Sequence, residues 1–375
     1  MKILFITHAV CIYGACRSLQ HVLQNYKDLV KDIEYDIIVP KRLINKNNMD
    51  KIREYCGPAV RNIYEYHLPF DQCFVGKIIE GTPLYYLSRF FKGVFWRLDR
   101  KKIYALIEKE KYDFIHLNSL VLNPLIEKKY PFIVHVRDLD DGSSKSAREK
   151  IKDVCGVVFI DEAVKKPFSS LQLKNSIVLN NPFDMTILES YKGDGQKVLK
   201  NVDPNKNVIF SLLGRIKDAK GTGFVINSFI KVKNVNARLL IVGREEGSYF
   251  KKCVNLAKND KRIVFHGEEA EIYKVYYISD YVIRGDVCPA VGRTIYEGLY
   301  AGCKIIMPGK ETKVVLDEYD KFKESIFFYK TRDVEDLSEL FESLSDKKVS
   351  KGKYYSNVDA YIEKFHNFVL RSCKR

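Results

Sequence analysis

Several things are missing from this sequence. It has no run of 18 or more apolar residues, so nothing in it reads as a membrane-spanning helix. It has no Cys-x-x-Cys and no paired His/Cys spacing of the zinc type, and its nine cysteines are scattered. Odd, dispersed thiols fit a reducing cytoplasm better than a disulfide-framed secreted domain. A Gly-x-x-x-x-Gly-Lys-Ser/Thr loop and a Gly-x-Ser-x-Gly elbow are also absent, which removes P-loop and serine-hydrolase chemistry. The opening MKILFITHAVCIYG is too short in its apolar core for a secretory signal and reads as a first buried strand.

What is present is positive charge. The net charge of +15 calls for an anionic partner: nucleic acid, a phosphorylated substrate or an anionic membrane surface. Without a zinc-finger or RNA-binding aromatic motif, no nucleic acid is expected. The hydrophobic fraction of 46% marks a globular chain, and 375 residues suffice for two cores.

Short apolar runs alternate with helical patterns. KILFIT, YDIIVP, DFIHL, FIVHV and VVFI lie in the first half; NVIFSLLG, ARLLIVG, RIVFHG, DYVIRG and CKIIMPG lie in the second. Runs without polar alternation suit parallel strands covered on both faces. The expected fold is α/β, with two Rossmann-like, doubly wound parallel-sheet domains facing a cleft. Residues 1–182 form the first and 183–348 the second. A helical tail over 349–375 is expected to pack back on the N-terminal domain. The polar stretch 180–206 is the linker candidate.

Ligands of open α/β sheets sit beyond the carboxyl ends of the strands, so residues just after strands are the candidates. In LLGRIKDAKG, Gly214 turns the chain, and Arg215 and Lys220 offer two cations suited to a diphosphate; the plainer alternative is a solvated basic turn. Further on, Gly292, Arg293 and Thr294 open a helix whose amides form an anion site, and Glu297 follows one turn in. That carboxylate suits ribose hydroxyls, or simply complements the helix N-terminus. In the first half, His8, His116, Asn118, His135, Arg137 and Asp138 fall at strand ends. A lone histidine there is more often structural, but two such strand ends facing the cleft make His116 a catalytic candidate beside Arg137. Arg137 suits an acceptor phosphate or the donor.

The order GRIKDAKG, ARLLIVG, VFHGEEAEIYKVYYISD and GRTIYEGLYAG resembles the C-terminal half of retaining, GT-B-fold family-4 glycosyltransferases. IYGACRSL, YDFIHLNSL, FIVHVRD and VLNNPFD extend the likeness through the N-terminal half. The resemblance implies a nucleotide-sugar donor, expected to be UDP-linked, with no prosthetic group and no metal required. It places the diphosphate on Arg215 and Lys220 and the ribose on Glu297. The base would lie against His266, Gly267 and Glu268, and Gly14 would allow close approach of the first loop. Pro289 stands where the family carries the first Glu of its E-x7-E pair. Three readings stay open there: Asp286 substitutes, Cys288 and backbone amides serve a different sugar, or activity is lost.

The acceptor implied is a glycan or polyprenyl-diphosphate-linked glycan, as in capsule or other surface polysaccharide biosynthesis. That places the protein in the cytoplasm, peripheral on the inner face of the membrane. Residues 83–102, PLYYLSRFFKGVFWRLDRKK, mix aromatics with basic residues. They read either as a core helix with a basic outer face or as a segment for an anionic membrane surface. Two other functions are carried forward: a nucleotide-binding relative without turnover, and a basic nucleic-acid-binding protein.

Overall fold

The structure, a computed structural model, describes residues 1–11, 14–41, 48–69, 83–139, 145–192, 199, 202–245, 247–311, 316 and 318–373. Parts of the linker candidate, including Gly193 and Gly195, lie outside them. Two compact units emerge: Met1–Pro182 together with Asn357–Arg375, and Phe183–Ser356.

The first unit holds a seven-stranded sheet of β1 (Lys2–Ile6), β2 (Glu34–Pro40), β3 (Val60–Tyr66), β4 (Phe114–Leu117), β5 (Phe132–Val136), β6 (Gly156–Phe159) and β7 (Ser176–Val178). Its order is β3-β2-β1-β4-β5-β6-β7, with every pairing parallel. The chain winds one way from β1 to β3 and the other way from β4, so the winding direction switches between β1 and β4. Helix Val358–Cys373 belongs to this unit. Its Phe365 packs edge-on against Phe114, and its His366 Nδ1 lies 3.0 Å from Tyr26 Oη. Gly156 is needed beneath it, because a Cβ there would lie 2.8 Å from Phe368 Cζ.

The second unit holds six parallel strands: β8 (Val208–Leu213), β9 (Ala237–Val242), β10 (Ile263–Gly267), β11 (Tyr281–Ile283), β12 (Lys304–Pro308) and β13 (Ile326–Tyr329), in the order β10-β9-β8-β11-β12-β13. Residues alternate between two cores. Ile209, Leu240, Val282 and Ile305 enter one; Phe210, Leu239, Ile283 and Ile306 enter the other. Both faces are therefore buried, which is why these strands read as unbroken apolar runs. The winding switches between β8 and β11.

Three strands that the apolar runs did not announce, β3, β7 and β13, are all sheet edges. Edge strands bury less and tolerate polar residues, so VRNIYEY and SIV carry a weaker signal.

Candidate active site

Arg215 follows β8 by one residue, Gly214, and Arg284 follows β11 directly. The basic turn 214–221 thus sits at the switch point of the second sheet, where open α/β folds bind ligands. Glycines allow this packing. Gly243 has φ +157°, and a Cβ on it would lie 1.8 Å from the Gly214 carbonyl oxygen. Gly221 has φ +68°, and its Cβ would fall 2.1 Å from the Gly285 oxygen. The turn is therefore pressed backbone to backbone against the ends of β9 and β11, and any side chain at either glycine would push it away.

A pocket opens here, lined by Gly214, Arg215, Lys220, Asp286, Gly292 and Thr294 among others. Arg215 is exposed and makes no hydrogen bond or ion pair among the described residues. Lys220 donates from Nζ to Asp286 Oδ2 at 2.8 Å. The other Asp286 oxygen, Oδ1, accepts from Arg284 Nε at 2.9 Å. Burial alone would raise the Asp286 pKa, but the Arg284 and Lys220 cations outweigh it and hold the carboxyl below its usual range. Arg284 is itself buried. Its Nη2 donates to the carbonyls of Cys288 and of Ala290, the latter at 2.9 Å. One guanidinium thus clamps the chain on both sides of Pro289. Tyr329 Oη closes the arrangement by donating to the Arg284 carbonyl at 2.7 Å.

Gly292 is the N-cap of helix Arg293–Tyr300, with no side-chain cap, so the first-turn amides of Arg293 and Thr294 have no intrahelical acceptor. Glu297 lies a turn in and is buried, away from the pocket lining. It accepts from Arg293 Nε at 2.6 Å and from Tyr276 Oη at 2.7 Å. The Arg293 guanidinium lies over the Phe183 ring, 4.9 Å from its centroid. Each Glu297 oxygen thus accepts one side-chain donor and keeps further acceptor capacity. His266 and Gly267 end β10, two strands from Arg215. The Gly267 carbonyl accepts from Gly243 N at 2.7 Å, and His266 Nε2 lies 3.1 Å from Glu269.

The remaining candidates lie in the first unit. Gly14 (φ +49°) opens helix Gly14–Leu29 beyond β1. Arg137, after β5, is buried. Its Nε is within 3.2 Å of both Asn118 oxygens, Nη1 donates to Asn181 Oδ1, and Nη2 lies 3.2 Å from His135 Nδ1. Ser18 Oγ also donates to Asn181 Oδ1, at 2.8 Å, and Asn118 Nδ2 donates to the Ala15 carbonyl at 3.1 Å. This is a closed buried network at the β1/β4 switch point. His116 faces the core: its ring meets Phe5 and Phe365 edge-on, and neither ring nitrogen has a hydrogen-bond partner. Burial, then Arg137, pushes its pKa down to about 3. A ring enclosed in this way packs; it does not reach a ligand. His8 is also held below its usual pKa, by burial first.

Arg284, Tyr276 and Asn181 were not among the candidates that the sequence singled out. Arg284 alone had a signal, as an arginine directly after the apolar YVI and two residues before an aspartate. Among the described residues no group of three or more His, Cys, Asp or Glu is placed to hold a metal ion.

Residues 196–364, most of the second unit, match the family model of glycosyl transferases group 1. The chain carries a glycosyltransferase domain. Solved structures similar to this glycosyltransferase include HepE from Anabaena in complex with UDP. That match has 16% identity and a TM-score of 0.65, and covers 100% of this chain and 97% of that one. Sucrose-phosphate synthase from Thermosynechococcus elongatus has 12% identity and a TM-score of 0.66, with 99% and 97% covered. UDP-GlcNAc 2-epimerase from Neisseria meningitidis bound to UDP-GlcNAc has 11% identity and a TM-score of 0.59, with 99% and 100% covered. These likenesses carry the fold, the two-sheet GT-B arrangement, which an epimerase shares; the family match separates transfer from epimerisation. No curated protein sequence matches the glycosyltransferase.

Proposed function

We propose that this glycosyltransferase moves a sugar from a UDP-linked donor, with retention of configuration, to a hydroxyl of a glycan or polyprenyl-diphosphate-linked glycan in surface polysaccharide assembly, on the cytoplasmic face of the membrane. The observation that carries the reading is Arg215, an unpartnered exposed cation beside Lys220 at the β8/β11 switch point. UDP in the HepE complex supports the choice of nucleotide.

The diphosphate settles on Arg215, Lys220 and the amides of Arg293 and Thr294. Lys220 exchanges Asp286 for a phosphate oxygen. The released Asp286, still oriented by Arg284, then meets the sugar hydroxyls in place of the family's first Glu. The bond from the anomeric carbon to the phosphate oxygen breaks and one to the acceptor oxygen forms on the same face. The acceptor proton passes to the departing phosphate. Fixed cations and helix amides meet the growing charge without a metal. Gly267 and His266 border the base, and Glu297 holds the ribose. In the first unit, Gly14 and the Arg137 network shape the acceptor side, with Arg137 a positioning residue.

Pro289 supports a second reading, a nucleotide-binding relative without turnover. Calorimetry with UDP and a transfer assay over a panel of UDP- and GDP-sugars separate the two. Turnover on a UDP-sugar supports the proposal, and turnover on GDP-sugars alone overturns its choice of nucleotide. UDP binding with no turnover on any donor selects the second reading, and no UDP binding removes both.

A further inference from the structure

Helix Pro83–Glu110 exposes a run of large apolar residues over its first half. Its inward side is made by Asp99, Ile103 and Ile107, all buried. Asp99 accepts from the His67 amide at 3.0 Å and from Lys102 Nζ at 2.9 Å. At about 3.6 residues per turn, the opposite side carries Leu87, Phe90, Phe91, Val94 and Leu98. They are exposed, Phe90 to 66% and Leu98 to 55%, and so is Tyr86 beside them. The core-helix alternative for this segment therefore fails on these residues: the apolar stripe faces out. Side chains at 83–85, 88 and 89, Arg89 among them, are outside the description.

Charge decides what covers the stripe. Residues 83–102 contain six basic residues and a single acid, the buried Asp99. Arg97 and Lys101 are exposed and flank the stripe on the same side. A second copy would set one cationic face against another, which is repulsive. A protein partner need not be both apolar-contacting and anionic along a whole helix face, but a bilayer rich in anionic lipid presents both at its surface.

We infer that this helix is a membrane-docking element: it lies in the plane of an anionic lipid surface, with Phe90, Phe91, Val94 and Leu98 in the acyl boundary and Arg97 and Lys101 against the headgroups. This goes beyond the transfer reaction and does not depend on it, since the docking surface and the donor pocket share no residue.

The test is co-sedimentation of the full chain with vesicles of phosphatidylcholine plus phosphatidylglycerol, and with phosphatidylcholine alone. Binding is expected only to the anionic vesicles and is weakened by salt. The double variant Phe90→Ser/Leu98→Ser should lose at least about tenfold in partitioning. Arg97→Glu/Lys101→Glu should lose about 25-fold or more, at roughly fivefold for each basic side chain. Both pairs project into solvent, so melting temperatures should match the wild type. The inference is overturned if anionic vesicles do not sediment the protein, or if either double variant binds as the parent does. It is also overturned if the parent is a dimer that Phe90→Ser/Leu98→Ser converts to monomer without any vesicle binding.

Discussion

The two sheets share one topology, and each places polar residues at its switch point, yet the two clusters are built differently. In the first unit the network is closed: Arg137 spends its donors on Asn118, Asn181 and His135, all buried. In the second, Arg215 is exposed without a partner, and Lys220 rests on a carboxylate it can exchange. A buried, satisfied arginine fixes the geometry of a loop, whereas an exposed, unsatisfied one is available to an anion. The fold supplies the position twice; among the described residues, the second unit leaves the Arg215 charge unspent there.

Breaking the closed cluster should have the largest effect, and on stability. Arg137→Met strands several buried acceptors and should cost about 3 kcal/mol or more in urea unfolding, with UDP affinity unchanged. His116 adds a pH dependence. Its folded pKa of about 3 lies below the unfolded 6.5, so the unfolded chain binds the proton first as pH falls. Stability is complete above pH 6.5 and declines on acidification towards the folded pKa, by roughly 3 kcal/mol at about pH 4.5. His116→Leu should flatten that part of the profile, and a profile unchanged by the substitution would show the titration to lie elsewhere.

The open cluster should respond in affinity. Arg215→Ala should weaken UDP binding by ~1.5–3 kcal/mol with no change in melting temperature; equal affinity would mean the exposed cation is merely solvated. The smallest effect sharpens the contrast most. Asp286→Asn frees Lys220, so UDP should bind about two- to fivefold tighter while kcat falls, since Lys220 is half open to solvent and gains little from the pair. Weaker UDP binding in this variant would contradict the exchange of Asp286 for phosphate.

Much of this was legible in the residues. Central parallel strands announce themselves because both faces are buried, and the Gly214–Gly221 turn because two glycines frame a basic stretch between an apolar run and a helical pattern. Edge strands such as β3 were not legible, since half-burial lets Arg61, Asn62 and Glu65 interrupt the run. Periodicity showed that residues 87–98 form a stripe but not which way it faces; direction comes from Asp99, Ile103 and Ile107, which anchor the other side. Nor could spacing show that Arg284 would reach the carbonyls flanking Pro289, a contact made through the bend of a loop.

The most direct measurement is a crystal structure with UDP bound. The account predicts phosphate oxygens within hydrogen-bonding distance of Arg215 and Lys220, with the Lys220–Asp286 contact broken. UDP bound elsewhere, with Lys220 still on Asp286 and Arg215 still in solvent, would contradict it.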